Sequence, residues 1–454
     1  MTALLPDTGE PEALTPGERA DRAVAGILTS LDTAPGRGVV VDSPPGAGKS
    51  TLVVKATGHL TSAGHQLMIV AQTNEQVDDL VDRIAREHPG LALGRLHAGG
   101  HVLPPRVTRH PNVTGSRQVT DLRDLPVVVS TAKKWSFVTP DKCAPWRWAI
   151  VDEAYQMRSD GLLATAPLFA QDHSQVLFVG DPGQLDPFAT VESDRWHGLT
   201  WDPLRNAVDV TLAHNPDLLR HQLPVSWRLP ETAAPLVEQA FYPFYRFVPG
   251  TTAPERVLSY ASLPHGSGPL DDVLARAADS GWGHLELPAR HTLDQDPEVA
   301  DALAVTAARL LERGALVNGE RLTEARIAIG TARTVQADAV RARLADRGLT
   351  DIIVDTANRL QGREFDVTLV WHPLSGRHDA SAFHLETGRL CVLLSRHRFA
   401  CIVVARAGIR DLLDRHPRSS PVYLDVPPKF PDGWRAHQVV MGHLERGEHR
   451  VRAA

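Results

Sequence analysis

The chain has 454 residues, 22% of them charged and 43% apolar, which is the balance of an ordinary soluble protein long enough for two or three buried cores. No apolar run approaches the length that spans a bilayer and the N-terminus lacks a basic-then-apolar leader, so a cytoplasmic chain with no membrane partner is expected. The net charge of −6 argues against a module that simply coats nucleic acid, but not against a motor that releases its strand in every cycle.

Residues 1–15 are rich in Pro, Glu and Gly without periodicity and read as disordered. A buried strand over Gly38–Asp42 then leads through a glycine-rich loop into a helix from Ser50. Leu67–Ala71 leads into Asn74, Val77, Leu80, Val81 and Ile84, spaced for one helix face. Val127–Ser130, Trp148–Val151 and Val176–Gly180 continue the series. Continuous apolar strands alternating with helices predict a parallel sheet covered on both faces. Residues 89–124, rich in Gly, Pro, His and Arg, read as a short insertion within this first domain, residues 16–215.

Strand patterning lapses over Thr211–Leu223 and resumes in a second α/β domain, residues 216–416. Its strands are read at Arg326–Gly330, Asp351–Asp355, Val367–Trp371 and Cys401–Ala405. The helix before them has Asp296 as cap, Pro297 in its first position, Val299, Leu303, Ala307 and Leu310 on one face, and Gly314 at its end. Residues 417–454 read as a C-terminal tail, either loose or ending in a short helix. No internal repeat is visible. Cys143, Cys391 and Cys401 form no CxxC pair and read as packing thiols. His372, His378 and His384 are evenly spaced but lie in a Gly/Ser/Asp stretch, read as a solvated loop rather than a metal site.

The motif that carries chemistry is Ser43-Pro44-Pro45-Gly46-Ala47-Gly48-Lys49-Ser50, followed by Thr51, between a strand and a helix. Its glycines let backbone N–H groups converge on phosphate oxygens, Lys49 reaches the β- and γ-phosphates, and Ser50 joins a Mg²⁺ shell. Ser43 stands where the strict pattern has glycine. After the strand ending at Val151 come Asp152 and Glu153, the acids expected to hold Mg²⁺ and to polarise the attacking water. The cofactors expected are therefore ATP and Mg²⁺.

Asp152-Glu153-Ala154-Tyr155-Gln156, Gly180–Pro187, Gln361-Gly362-Arg363-Glu364 and Leu394–Arg398 together resemble the ordered motifs of superfamily 1 helicases. The branch they resemble contains the nonsense-mediated-decay RNA helicase and its DNA-acting relatives. The resemblance implies two tandem RecA-like domains with an ATP cleft between them, and a helicase or translocase moving 5′→3′ on single-stranded DNA or RNA. An ATP-gated clamp without processive unwinding is the alternative. A protein partner supplying specificity and a monomeric state are also expected.

By the same resemblance Gln184 senses the γ-phosphate, Arg228 and Arg396 are arginine fingers, and Glu364 contacts the ribose. Thr73, Asn74, Ser130, Thr131, Thr331, Arg333, Thr356 and Asn358 would meet the strand, and helix capping is the alternative for each. Trp135, Trp146, Trp148 and Trp227 read as core side chains before base-stacking ones. The glutamine that the family places before the phosphate loop to read adenine is missing near Arg19–Val24.

Overall fold

The structure, a computed structural model, describes residues 14–33, 38–143, 145–171, 174–185, 205–262, 268–416 and 432–453, with isolated positions between 187 and 203. Residues 1–13 of the stretch expected to be disordered lie outside the described residues, as do Asp186 and residues 417–431. The chain divides into two compact units, Met1–Pro182 with Asp186–Pro224, and Gly183–Leu185 with Val225–Ala454. Among the described residues no helix is long and apolar enough to cross a membrane.

The first unit is built on one eight-stranded sheet. Its strands are β1 (Val39–Asp42), β2 (Leu67–Ala71), β3 (Leu93–Leu96), β4 (Val113–Ser116), β5 (Val127–Thr131), β6 (Trp148–Asp152), β7 (Gln175–Gly180) and β8 (Leu219–Gln222). They stand in the order β4-β3-β5-β2-β6-β7-β1-β8, every pair parallel. Alternate residues of one strand enter opposite cores, which is why these strands are apolar throughout. Val39, Val41, Leu67 and Ile69 pack with helices α1 (Pro16–Thr33), α2 (Lys49–Ser62) and α3 (Asn74–Glu87). Val40, Met68, Val70 and Phe178 face the other side with Trp135 and Trp146.

The second unit carries a six-stranded sheet of β9 (Trp282–Leu287), β10 (Ile327–Thr331), β11 (Ile353–Thr356), β12 (Phe365–Trp371), β13 (His397–Arg406) and β14 (Arg450–Arg452). The order is β11-β10-β12-β13-β9-β14, again all parallel. Without β3 and β4 the first sheet reads β5-β2-β6-β7-β1-β8, which matches the second strand for strand in chain order. The molecule is thus α/β with two helix-covered parallel sheets of one topology, the tandem arrangement expected for RecA-like domains. The repeat lies in the topology and is absent from the residues.

Three stretches are placed by this comparison. Residues 89–124 contribute β3 and β4 to the outer edge of the first sheet. Their basic and histidine side chains dock on α3: Arg95 and His101 reach Asp78 at 2.8 and 2.9 Å, and Arg109 and His110 reach Asp82 at 2.7 Å each. The region where strand patterning lapses holds β8, whose Leu219, Arg220, His221 and Gln222 are half-buried at the end of the sheet.

The third stretch takes the helical one of its two expected forms and adds a strand. Among residues 432–453, helix α6 (Gly433–Leu444) packs on the second sheet and β14 pairs with β9 as its last strand. Alternation is too short in β14 to be read as a strand. The helix before β10, α4 (Pro297–Glu312), begins as read, with Asp296 accepting the Val299 N–H at 3.3 Å. A further helix, α5 (Thr334–Ala345), follows β10.

Candidate functional site

At the carboxyl edge of the first sheet, Ser43 leaves β1 and donates its backbone N–H to Gly180 O at the end of β7 (2.9 Å). The chain then turns through Gly46 at φ 72° and Gly48 at φ 87°, conformations that glycine adopts without Cβ strain, and enters α2 at Lys49. Ser43 is fully buried and its Oγ donates to Pro44 O (3.2 Å), so this side chain fits where glycine is usual. Pro45 and Ala47 are buried, while Gly46, Gly48, Lys49 and Ser50 are half-buried and Thr51 is exposed.

β6 ends on the same edge, with β7 between it and β1. There Lys49 Nζ lies 3.5 Å from Glu153 Oε1. Gln156 Nε2 donates to Glu153 Oε2 (3.0 Å), and the Glu153 N–H donates to Asp152 Oδ1 (3.0 Å). Glu153 has φ 50°, a left-handed conformation that costs a non-glycine residue free energy and concentrates at functional sites. Burial, and then the Glu153 charge, raise the Asp152 carboxyl well above the usual range, while the Lys49 charge and the Glu153 N–H pull the other way without cancelling them.

The donor set fits a divalent cation that arrives with a nucleotide. Asp152 is a buried carboxylate whose charge has little compensation, and Ser50 offers a hydroxyl in the first turn of α2. Among the described residues no group of three or more His, Cys, Asp or Glu could hold a metal alone. Mg²⁺ commonly takes one or two carboxylates and completes its shell with water and phosphate oxygens.

Three residues that brace this edge escaped the sequence reading. Tyr155 Oη donates to Asp42 Oδ1 and Arg220 Nε donates to Asp42 Oδ2, both at 2.6 Å. They tie the end of β1 to β8 and to the turn after β6. The one local sign was Tyr155 inside the acid motif; Asp42 and Arg220 meet only through the β1–β8 pairing.

The second unit gathers its own group. Arg228 is buried and donates from Nη2 to Glu364 Oε1 (2.8 Å) and from Nη1 to Ser395 O (3.4 Å). Arg398 donates to Glu364 Oε2 from Nη2 (2.6 Å) and Nε (3.1 Å). Burial works against ionisation of Glu364, but the Arg228 and Arg398 charges outweigh it and hold the carboxyl at about 2. Arg396 is buried and donates from Nε to Val392 O (3.3 Å). Gln184, buried, belongs to this unit; a Cβ on Gly388 would come within 2.5 Å of its carbonyl oxygen.

The eight residues assigned to a strand all lie at carboxyl ends of strands, in varied local roles. Thr73 caps α3, its Oγ1 accepting the Gln76 N–H (3.2 Å), and Thr131 caps the next turn, accepting the Lys134 N–H (3.1 Å). Asn74 Oδ1 accepts from Arg95 Nη2 (3.0 Å) and Asn358 Oδ1 from Arg389 Nη1 (3.4 Å). Ser130 and Thr331 are fully buried, donating to Leu96 O (2.6 Å) and Arg333 O (3.1 Å). Arg333 stands over the Phe383 ring at 4.7 Å, and the half-buried Thr356 begins the turn after β11. The two units share one device: Gln76 Oε1 accepts the N–H groups of Gln72 and Thr73, and Gln336 Oε1 those of Ala332 and Arg333. Gln76 Nε2 also reaches Gln156 Oε1 at 3.5 Å.

The evenly spaced histidines are not a solvated loop. His372 and His384 are buried and only His378 is exposed, because α6 closes over the segment. All three cysteines are buried, without disulfides. Trp135 and Trp146 are core residues as read, whereas Trp227 is 40% exposed.

A family model described as an AAA domain matches residues 22–195, a span that takes in the phosphate loop, Asp152 and Glu153. The match falls on the first unit and covers less than half of the chain. No curated protein matches the chain. Among solved structures, the crystal structure of Arterivirus nonstructural protein 10 (helicase) is similar at 16% identity and TM-score 0.42, over 86% of this chain and 61% of that one. Its complex with DNA is similar at 14% identity and TM-score 0.41, over 87% and 65%. The chain thus spans less than two thirds of the length of these structures.

Proposed function

We propose that this protein is a nucleic-acid-stimulated ATPase that works as a helicase or translocase on single-stranded DNA or RNA. The observation that carries the reading is the Lys49–Glu153 approach of 3.5 Å beside the raised Asp152, on the edge where the phosphate loop opens α2. Lys49 and the N–H groups from Gly46 to Thr51, in the loop that Pro45 opens, bind the triphosphate, and Glu153 orients the attacking water and accepts its proton. Ser50 and Asp152 would hold Mg²⁺, which when bound would neutralise charge on the phosphate oxygens. Arg228 and Arg396 supply cations to the γ-phosphoryl group, with about 10³–10⁵ in rate at stake. Gln184 senses that group and Glu364 meets the ribose.

The motif order supports superfamily 1 and 5′→3′ movement, and the repeated strand ends support a strand held by Thr73, Asn74, Ser130, Thr131, Thr331, Arg333, Thr356 and Asn358. Residues 89–124 build a sheet edge rather than a free-standing accessory domain, and this favours one further reading, an ATP-gated clamp that grips without unwinding.

Steady-state ATPase rates with no polymer, single-stranded DNA and single-stranded RNA, each at low and high salt, test the proposal. Salt-sensitive stimulation by one polymer is expected and names the track. Indifference to both sinks the motor and the clamp together. Stimulation without duplex strand displacement selects the clamp.

A further inference from the structure

The chain has six lysines, and three of them, Lys133, Lys134 and Lys142, lie within eleven residues after β5. Lys133 is exposed, and Lys134 donates from Nζ to Arg117 O (3.0 Å), which brings the exposed Arg117 beside it. None of Arg117, Lys133 and Lys134 forms an ion pair with a described carboxylate, in a chain where most arginine side chains do. Phe137 stands four residues beyond Lys133 and is 73% exposed.

The platform beneath these groups is rigid. Thr131 caps the short turn Ala132–Trp135. Trp135 is fully buried, donates from Nε1 to Ile69 O (3.0 Å) and packs edge-on against Trp146, with centroids 5.9 Å apart. Phe137 and Val138 close the turn by donating to Lys134 O (3.2 Å) and Trp135 O (2.9 Å). The exposed Phe137 ring thus stands on a fixed backbone, so meeting a flat partner orders only its own side chain.

The place is also suited to a ligand. Arg117 follows β4, Lys133 follows β5, and the register sets Ala71 of β2 opposite Thr131, so the patch runs along the carboxyl edge next to Thr73 and Asn74. Ligands of open parallel sheets bind along this edge.

We propose that Phe137, Lys133, Lys134 and Arg117 form a grip for single-stranded nucleic acid, in which Phe137 stacks on one base and the three cations meet the flanking phosphates. The grip rests on the strand-dependent reading above and adds a site to it. Stacking accepts any base, so it holds a strand without selecting a sequence, and the cations make the hold salt-sensitive.

Anisotropy of labelled oligo-dT and oligo-U across a salt series tests it. Phe137→Ala is expected to weaken binding about tenfold or more with an unchanged salt slope, and Phe137→Trp to restore it. Lys133→Gln with Lys134→Gln is expected to lower the salt slope by roughly 1–1.5. ATPase without nucleic acid should match the parent in all three, which reports that they fold. Parental affinity and slope in both the alanine and the double variant overturn the grip and leave the motor reading standing. A parent chain that binds neither polymer and is stimulated by neither overturns both.

Discussion

Lys49 Nζ approaches Glu153 Oε1 to 3.5 Å, so the cation proposed to bind phosphate and the carboxylate proposed to take the proton of water already face each other across the edge of the first sheet. Each neutralises part of the other's charge, and a triphosphate entering between them must take Lys49 away from Glu153. Lys49→Ala should therefore abolish turnover and weaken nucleotide binding. Glu153→Gln should keep nucleotide bound and cut kcat by about 10²-fold or more, the usual loss for a proton acceptor. Turnover at the parental rate in the Glu153 variant would show that the base lies elsewhere. Both are read by ATPase kinetics beside fluorescent-nucleotide binding.

Asp152 makes a stability prediction of opposite sense. Its folded-state carboxyl is raised, by burial first and the Glu153 charge second. Between the unfolded carboxyl's range near 4 and the raised folded value, the folded chain binds the extra proton, so stability falls as pH rises through that window. Asp152→Asn removes the buried charge. We expect it to abolish Mg²⁺-dependent turnover while raising Tm at neutral pH by about 2–8 °C, the shift that roughly 1–2 kcal/mol produces in a unit of this size. A lower Tm would mean that Asp152 is better compensated than its surroundings indicate.

Gln156 joins Glu153 to Gln76, and Gln76 holds the N–H groups of Gln72 and Thr73 at the start of α3. A hydrogen-bonded chain thus runs from the acid to a turn assigned to the strand. Gln76→Ala should reduce the stimulation by nucleic acid several-fold with a smaller effect on the unstimulated rate. Equal loss in both rates would reduce Gln76 to a helix cap.

The phosphate loop, the acids after β6 and the Asp296 cap of α4 were legible in the sequence because each is a local pattern, with its partner within a few residues. The apolar strands were legible for the same reason. What escaped is set by pairing between distant segments. Arg220 meets Asp42 only because β8 lies beside β1, and β14 is too short for its alternation to mark a strand. His372 and His384 looked solvated in a Gly/Ser/Asp stretch because nothing nearby announces that α6 covers them. The shared strand order of the two units left no residue repeat at all.

Those histidines carry the last prediction. His437 projects from α6 onto His372, with ring centroids 5.1 Å apart, and His284 joins them from β9. Backbone partners set their tautomers: His372 Nδ1 accepts the Leu374 N–H (3.2 Å), while His437 Nε2 donates to His384 O (3.1 Å) and His284 Nδ1 to Leu444 O (3.3 Å). The other nitrogen of each ring is buried without a partner among the described residues, so a second proton would find no stabilising contact. Burial accordingly depresses all three, His284 to about 4, His437 to about 3 and His372 well below its ordinary value. Below pH ~6.5 the unfolded chain takes up protons that the folded unit refuses. The stabilisation is complete above that pH and is lost as pH falls toward the folded values, with each histidine contributing up to about 1.4 kcal/mol per pH unit. Thermal melts from pH 8 to pH 5 should show one transition moving down steeply below ~6.5, with α6 and β14 losing amide protection first in hydrogen exchange. His437→Gln, which keeps a donor toward His384 O, should flatten that slope. A slope unchanged in this variant would place the acid sensitivity in some other group.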